Sequence, residues 1–141
     1  MGPRPAPEPV AEPPAQGGSI MIVLGTDAPL NERQLRRLAV RATFGLGRAG
    51  SFASNGSGEF CLAFSTANPP SHRADDAEVA QRLLRDDSPA LRELFEAAGE
   101  VVHEAVLNSL CSADAMEGRD GNRVEAFPYE LLDDAPGVLR A

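Results

Sequence analysis

Ser19 stands directly behind Gly17 and Gly18 and opens the first strand-like run of the chain, Ile20-Met21-Ile22-Val23-Leu24. A short, continuous apolar run belongs in a buried strand, so the rest of the sequence has to supply the layers that cover it. What precedes it cannot do so. Half of the chain's 12 prolines stand in the first 14 residues, at Pro3, Pro5, Pro7, Pro9, Pro13 and Pro14, interleaved with Ala, Glu and Arg. Such a segment favours extended, solvated backbone and reads as a disordered, proline-rich linker over residues 1–18. A linker normally has something on both sides, which suggests a start placed inside a longer gene, or a C-terminal portion living apart from its other half. A serine on the first residue of a buried strand, behind a flexible glycine pair, is also the arrangement expected where the preceding peptide bond is cut. Its hydroxyl would then lie beside its own free amine.

The run to about Gly25 is followed by a turn at Asp27 and Pro29, and Asn31 is placed to cap a helix. Leu35, Leu38, Ala39, Ala42 and Leu46 follow the i, i+3, i+4, i+7 rhythm, predicting an amphipathic helix that ends near Gly45 to Gly50 and lies against a sheet. Its Arg33, Arg36, Arg37 and Arg41 share one face, read as a solvated face rather than a nucleic-acid groove. A small-residue loop from Ser51 to Gly58 feeds a second apolar strand from Phe60 to about Thr66, with Glu59 at its mouth. The connection from Ala67 to Asp87 looks disordered apart from a short helical turn around Val79 to Leu84. Ser88 and Pro89 then start a long helix whose apolar stripe is Leu91, Leu94, Phe95, Ala98, Val102, Ala105, Val106 and Ser109. Asp120-Gly121 marks a tight turn, Arg123 to Phe127 a short strand and Tyr129 to Asp134 a closing helical turn.

At 141 residues, with 43% hydrophobic and 5% aromatic content, the chain suffices for one compact α/β domain. A net charge of -8 argues against nucleic-acid binding, which rests on clustered Lys and Arg that displace counterions. No apolar stretch approaches the roughly 18 to 20 residues needed to cross a bilayer, so no membrane association is expected. The N-terminal residues lack the apolar core of a secretory signal, which makes the cytoplasm the default location, although an export signal preceding a missing half would change that. Cys61 and Cys111, far apart in apolar surroundings, read as buried free thiols.

Few residues carry chemistry. His72 lies in a proline-rich loop and His103 beside an apolar stripe, which does not favour a Ser-His-Asp triad. Carboxylates are scattered without a His partner at ligand spacing, so no metal is expected. Gly45, Gly47 and Gly50 follow a helix rather than open one, unlike a phosphate cradle. That leaves Ser19 and the segment Asn55-Gly56-Ser57-Gly58-Glu59, which sets a second serine and a carboxylate two residues apart before a strand. If the two strands pair, Ser57 and Glu59 project to one side and both can face Ser19. The carboxylate would orient the amine of Ser19, and the neighbouring hydroxyl would relay or position the proton that Ser19 loses on attack. Spacing alone favours a glycine-rich turn with both side chains in solvent.

The run Gly18-Ser19-Ile20-Met21-Ile22-Val23, the helix Leu35-Arg36-Arg37-Leu38-Ala39, the segment Ser54 to Glu59, the stretch Ala105-Val106-Leu107-Asn108 and the element Gly118-Arg119-Asp120-Gly121 together resemble one family. It is the C-terminal, catalytic half of the DmpA-like serine aminopeptidases, which include L-aminopeptidase/D-amidase/esterases and β-peptidyl aminopeptidases. The likeness runs from Gly18 to about Phe127. It implies a precursor that cuts itself between Gly18 and Ser19, leaving residues 19–141 as the catalytic small chain with Ser19 as nucleophile. Ser57 then assists proton transfer, and Glu59 orients Ser57 or the amine of Ser19. The implied fold is part of a four-layer αββα sandwich of the DmpA and ornithine acetyltransferase type, working without metal or coenzyme on peptides, amides or esters with an accessible N-terminal residue. The implied partner is the large N-terminal chain of the same precursor, with paired chains assembling into a homo-oligomer.

The sequence departs from the family in lacking that larger chain, which supplies strands, the asparagine-type oxyanion donor and much of the substrate pocket. Removing one positioned oxyanion donor costs about a hundred- to a thousandfold in rate, so this chain alone is expected to be inactive. It is also expected to leave sheet edges and an apolar surface uncovered. A noncatalytic remnant or interaction module is the alternative reading. A relative of the ornithine acetyltransferases, whose nucleophile is threonine, is disfavoured by serine at position 19.

Overall fold

The computed structural model describes residues 18–73 and 77–133. Most of the linker, together with Gly17, Asp134 and residues 74–76 of the connection, therefore lies outside the described residues. The elements run β1 (Ile20–Thr26), α1 (Glu32–Arg48), β2 (Glu59–Ser65), α2 (Pro89–Cys111), β3 (Met116–Glu117), β4 (Arg123–Val124) and α3 (Glu130–Asp133). β1 and β2 pair in parallel with α1 as the crossover, in the register Ile20↔Glu59 through Thr26↔Ser65. β3 and β4 form a small antiparallel pair around a turn at Asp120 and Gly121, both with positive φ.

Alternation along both strands sorts their residues into two faces. Ile20, Ile22 and Leu24 from β1 and Cys61 and Ala63 from β2 pack toward the helices, where Leu24, Leu30, Leu38, Ala42, Leu46, Leu91, Ala98 and Val102 form the core. The opposite face is equally apolar and stands open: Met21 is 83% exposed, and Val23, Phe60, Leu62 and Phe64 accompany it. The expected uncovered apolar surface is thus a whole sheet face. Phe64 lies against Gly25, where an added Cβ would come within 2.9 Å of its ring.

The helix start predicted at Asn31 is a full capping box. The Asn31 side chain accepts from the Gln34 N–H at 2.9 Å, and the Gln34 side chain accepts from the Asn31 N–H at 3.1 Å. Gln34, only 1% exposed, then spends both amide hydrogens on a distant segment, donating to the Leu84 carbonyl and to Asp86, each at 2.9 Å. This explains a difference from the sequence reading. Val79 to Leu84 forms no helical turn, and the described part of the connection is docked rather than loose. Leu84 N–H donates to Pro29 O, and the Asn68 side chain both donates to and accepts from the Arg82 backbone.

The arginine face of α1 is also less solvated than its pattern suggests. Arg33 and Arg37 pair with Asp86, while the guanidinium carbons of Arg37 and Arg41 lie 4.7 and 4.2 Å from the centroid of the Phe95 ring. α1 and α2 approach through glycine, since a Cβ on Gly45 would stand 2.5 Å from Gly99 O and 2.8 Å from Val102 Cβ.

Gly45→Ala should therefore destabilise the fold by about 1 to 3 kcal/mol through overpacking. Gly47→Ala, in the same helix with nothing within 4 Å, should be neutral or stabilising. Denaturant midpoints of the two variants check this contrast. Asp86 is held below the usual carboxylate range by hydrogen bonds from Arg33 and Gln34 and by the charges of Arg33 and Arg37. Its folded pKa is depressed, so its contribution is complete above the ordinary value of about 3.9 and is lost as pH falls through the lower folded value. Asp86→Asn should flatten the stability profile in that acid window, as read by urea titration at stepped pH.

Candidate active site

The β1–β2 register brings the two serines singled out in the sequence to one place. The loop before β2 turns at Asn55-Gly56, with Gly56 at φ 103 and the Ser57 N–H donating to Ser54 O at 3.0 Å. Glycine takes that left-handed value without strain. The ladder then begins with the Ile20 N–H donating to Gly58 O at 3.0 Å.

In a parallel ladder the next rung outward would join the Gly58 N–H to Gly18 O. Side chains replace it. The Ser57 hydroxyl donates to Gly18 O at 2.7 Å, and the Gly58 N–H donates to Ser19 Oγ at 3.3 Å. Gly18 O belongs to the peptide bond that joins Gly18 to Ser19, so the exchange of partners bears directly on that bond. Its carbonyl oxygen carries a hydroxyl donor, which favours negative charge there, and the Ser19 hydroxyl keeps its own hydrogen free to leave. Both serines sit where solvent reaches: Ser19 is exposed and Ser57 half-buried.

Glu59 lies elsewhere. Paired with Ile20, it takes the helix-facing side of the sheet and lines a cavity of about 280 Å³ with Arg36, Ala39, Thr43, Leu46 and Cys61. Among the described residues no hydrogen bond joins it to Ser19 or Ser57. Ser19 stands one residue out of phase with Glu59, because its extrapolated partner is Gly58. Cys61, on the same cavity, is a half-buried free thiol whose pKa is raised by burial, whereas Cys111 is exposed, contrary to expectation. Cys111 is the last residue of α2, and its carbonyl accepts from the Tyr129 hydroxyl while its side chain stays exposed. His72 is exposed and His103 half-buried on α2.

A second concavity, of about 550 Å³, runs between β1 and α2, lined by Ile20 through Gly25 and by Val101, Val102, Ala105, Val106 and Ser109. The last part of the apolar stripe read on α2 therefore borders a groove along the unpaired edge of β1. Sequence reasoning found Ser19 and Ser57 but not the backbone groups that bind them, since every residue carries a carbonyl and every one but proline an N–H.

Residues 3–124 match peptidase family S58. The chain belongs to that family. It is 40% identical over 115 residues to the β-peptidyl aminopeptidase BapA of Sphingosinicella microcystinivorans, covering 82% of this chain and 28% of that protein. Among solved structures it resembles the β-aminopeptidase of a Burkholderia species, with TM-score 0.67, 36% identity and coverage of 79% of this chain and 33% of that one. The L-aminopeptidase D-Ala-esterase/amidase of Ochrobactrum anthropi, described as a prototype of the serine aminopeptidases and a variant of the Ntn hydrolase fold, gives TM-score 0.69 and 39% identity over 79% of this chain and 32% of that one. The S58 chain described here thus spans about a third or less of the length of these relatives.

The two thiols offer a check on the site's surroundings. Cys111 should react with a thiol reagent within the fast phase, and Cys61 should lag at neutral pH because it is both shielded and less ionised. Mass-resolved labelling of Cys61→Ser and Cys111→Ser separates the two rates.

Proposed function

We propose that this chain is the C-terminal, catalytic part of a self-processing N-terminal-serine aminopeptidase. The observation that carries the reading is the pair of hydrogen bonds around the Gly18–Ser19 bond, from Ser57 to Gly18 O and from Gly58 to Ser19 Oγ. In self-cleavage, Ser19 Oγ attacks the Gly18 carbonyl carbon and the carbonyl electron pair moves onto the oxygen that Ser57 already contacts. The hydroxyl proton passes to the Ser19 nitrogen as the C–N bond breaks, leaving an ester. Water hydrolyses that ester, releasing the Gly18 carboxylate and restoring the Ser19 hydroxyl beside the amine freed in the shift. The exposed Ser19 is then the nucleophile toward an incoming peptide, amide or ester, forming an acyl-enzyme that water resolves. Glu59, which makes no hydrogen bond to either serine before the cut, is the acid that orients Ser57 or holds the new ammonium once the cut chain end is free to turn.

The working enzyme requires the larger N-terminal chain of the same precursor. Its strands fit two vacancies: the groove along the β1 edge, and the open face of Met21, Val23, Phe60, Leu62 and Phe64, against which a second sheet completes the αββα sandwich. Residues 1–18 then form the linker and 19–141 the small chain. The paired chains assemble further, in the cytoplasm, and act without a cofactor. Alone, the chain lacks an oxyanion donor from the larger part and is inactive.

With the upstream half supplied, Ser19→Ala should abolish cleavage after Gly18, and Ser57→Ala should slow it about a hundred- to a thousandfold. Intact mass and N-terminal sequencing of the purified precursor measure both. Cleavage of Ser19→Ala at the unmodified rate would sink this reading.

A further inference from the structure

The register leaves one group on the reacting atoms without a role in that scheme. We propose that the Gly58 N–H is a catalytic donor to the nucleophile, holding one lone pair of Ser19 Oγ so that another faces the Gly18 carbonyl carbon, and stabilising the partial negative charge left on Oγ as its proton departs for the Ser19 nitrogen. The inference rests on the reading of Ser19 as the self-cleavage nucleophile. Three observations carry it. The donor contacts Ser19 Oγ at 3.3 Å, and its own residue, the last of the loop before β2, is anchored to the ladder by the bond from the Ile20 N–H to Gly58 O at 3.0 Å. The regular rung to Gly18 O is given up in its favour, because Ser57 has taken that oxygen at 2.7 Å. Finally, shape does not demand glycine at position 58: a Cβ would meet only the Phe60 ring, at an ordinary 3.6 Å, and its φ lies outside the left-handed region. What position 58 must offer is the N–H.

A backbone donor suits this task. It cannot rotate away, it carries no proton that the reaction can consume, and it divides the work with Ser57. Ser57 polarises the carbonyl, Gly58 steadies the oxygen that attacks it, and the hydrogen of Ser19 Oγ is left to travel to the departing nitrogen. As the new C–O bond forms and the Oγ proton moves to the Ser19 nitrogen, the carbonyl electron pair places the negative charge on Gly18 O. The Gly58 N–H then stands next to the position of the rung it had given up, where it can follow the charge onto Gly18 O.

The test uses the full precursor, with the upstream half in place. Gly58→Ala keeps the N–H and should cleave within a few fold of the parent. Gly58→Pro removes it and should slow cleavage about a hundredfold. Since proline also restricts Ser57 and can disturb folding, the same deletion is made by incorporating glycolic acid at position 58 during in vitro translation, which replaces only the N–H with an ester oxygen. A third measurement separates charge stabilisation from packing. In the Ser19→Cys precursor, the pH midpoint of cleavage reports ionisation of the nucleophile, and removing the position 58 N–H should raise it by about one pH unit. A folded glycolate precursor that cleaves within about threefold of the parent overturns the inference, as does an unmoved midpoint. Cleavage in Ser19→Ala would instead remove the reading beneath it.

Discussion

The rung between the Ile20 N–H and Gly58 O holds the rest of the structure in place. It starts a parallel ladder in which each residue of β1 has one allowed partner on β2, and both strands alternate between a helix-covered face and an open one. A slip by one residue would exchange those faces along either strand, driving Met21 and Val23 into the helices and Ile22 and Leu24 out of them. The two faces of β1 are almost equally apolar, so hydrophobicity alone specifies this register weakly. Smaller inward residues on β2, Cys61 and Ala63 against outward Phe60, Leu62 and Phe64, break the tie, because they let α1 pack over the sheet.

Packing behind the sheet keeps the ladder end still. α1 and α2 meet where Gly45 faces the Gly99 carbonyl, a separation no larger residue permits. Around them Gln34 ties the start of α1 to Leu84 and Asp86, and Arg37 and Arg41 stack on Phe95 of α2. These polar and aromatic links do from outside what the small core cannot do alone, fixing the direction of α1 relative to both strands. Ser19 and Gly58 each directly precede a strand of that frame, with Gly58 bonded to Ile20, while Ser57 lies one residue further back on the loop before β2.

Much of this was readable before any coordinates. The strand behind the glycine pair, the crossover helix with its Asn31 cap, the second strand behind Ser57 and the long helix from Pro89 all stand where periodicity and start signals place them, although the Ser88 side chain makes no cap hydrogen bond and proline alone marks that start. Each is encoded locally, by side-chain period or by a residue with one structural use. The connection before α2 was misread because its order comes from Gln34 and Asn68, polar residues whose partners lie far along the chain. Cys111 was misread because an apolar neighbourhood in sequence says nothing about whether another element arrives to cover it. β3 is too short for any pattern to show.

By itself, the sequence determined which chemistry is present: a serine at a glycine junction, a second serine before a strand and an acid two residues on. Those are matters of residue identity and local spacing, and they carry the likeness to family S58. The tertiary structure alone decided how these groups meet. Parallel pairing set Ser19 opposite Gly58 and turned Glu59 toward α1, while Ser57 and Gly58 divided between them the oxygen atoms on either side of one peptide bond. That arrangement depends on the register between strands separated by a whole helix, and no pattern confined to either strand contains it.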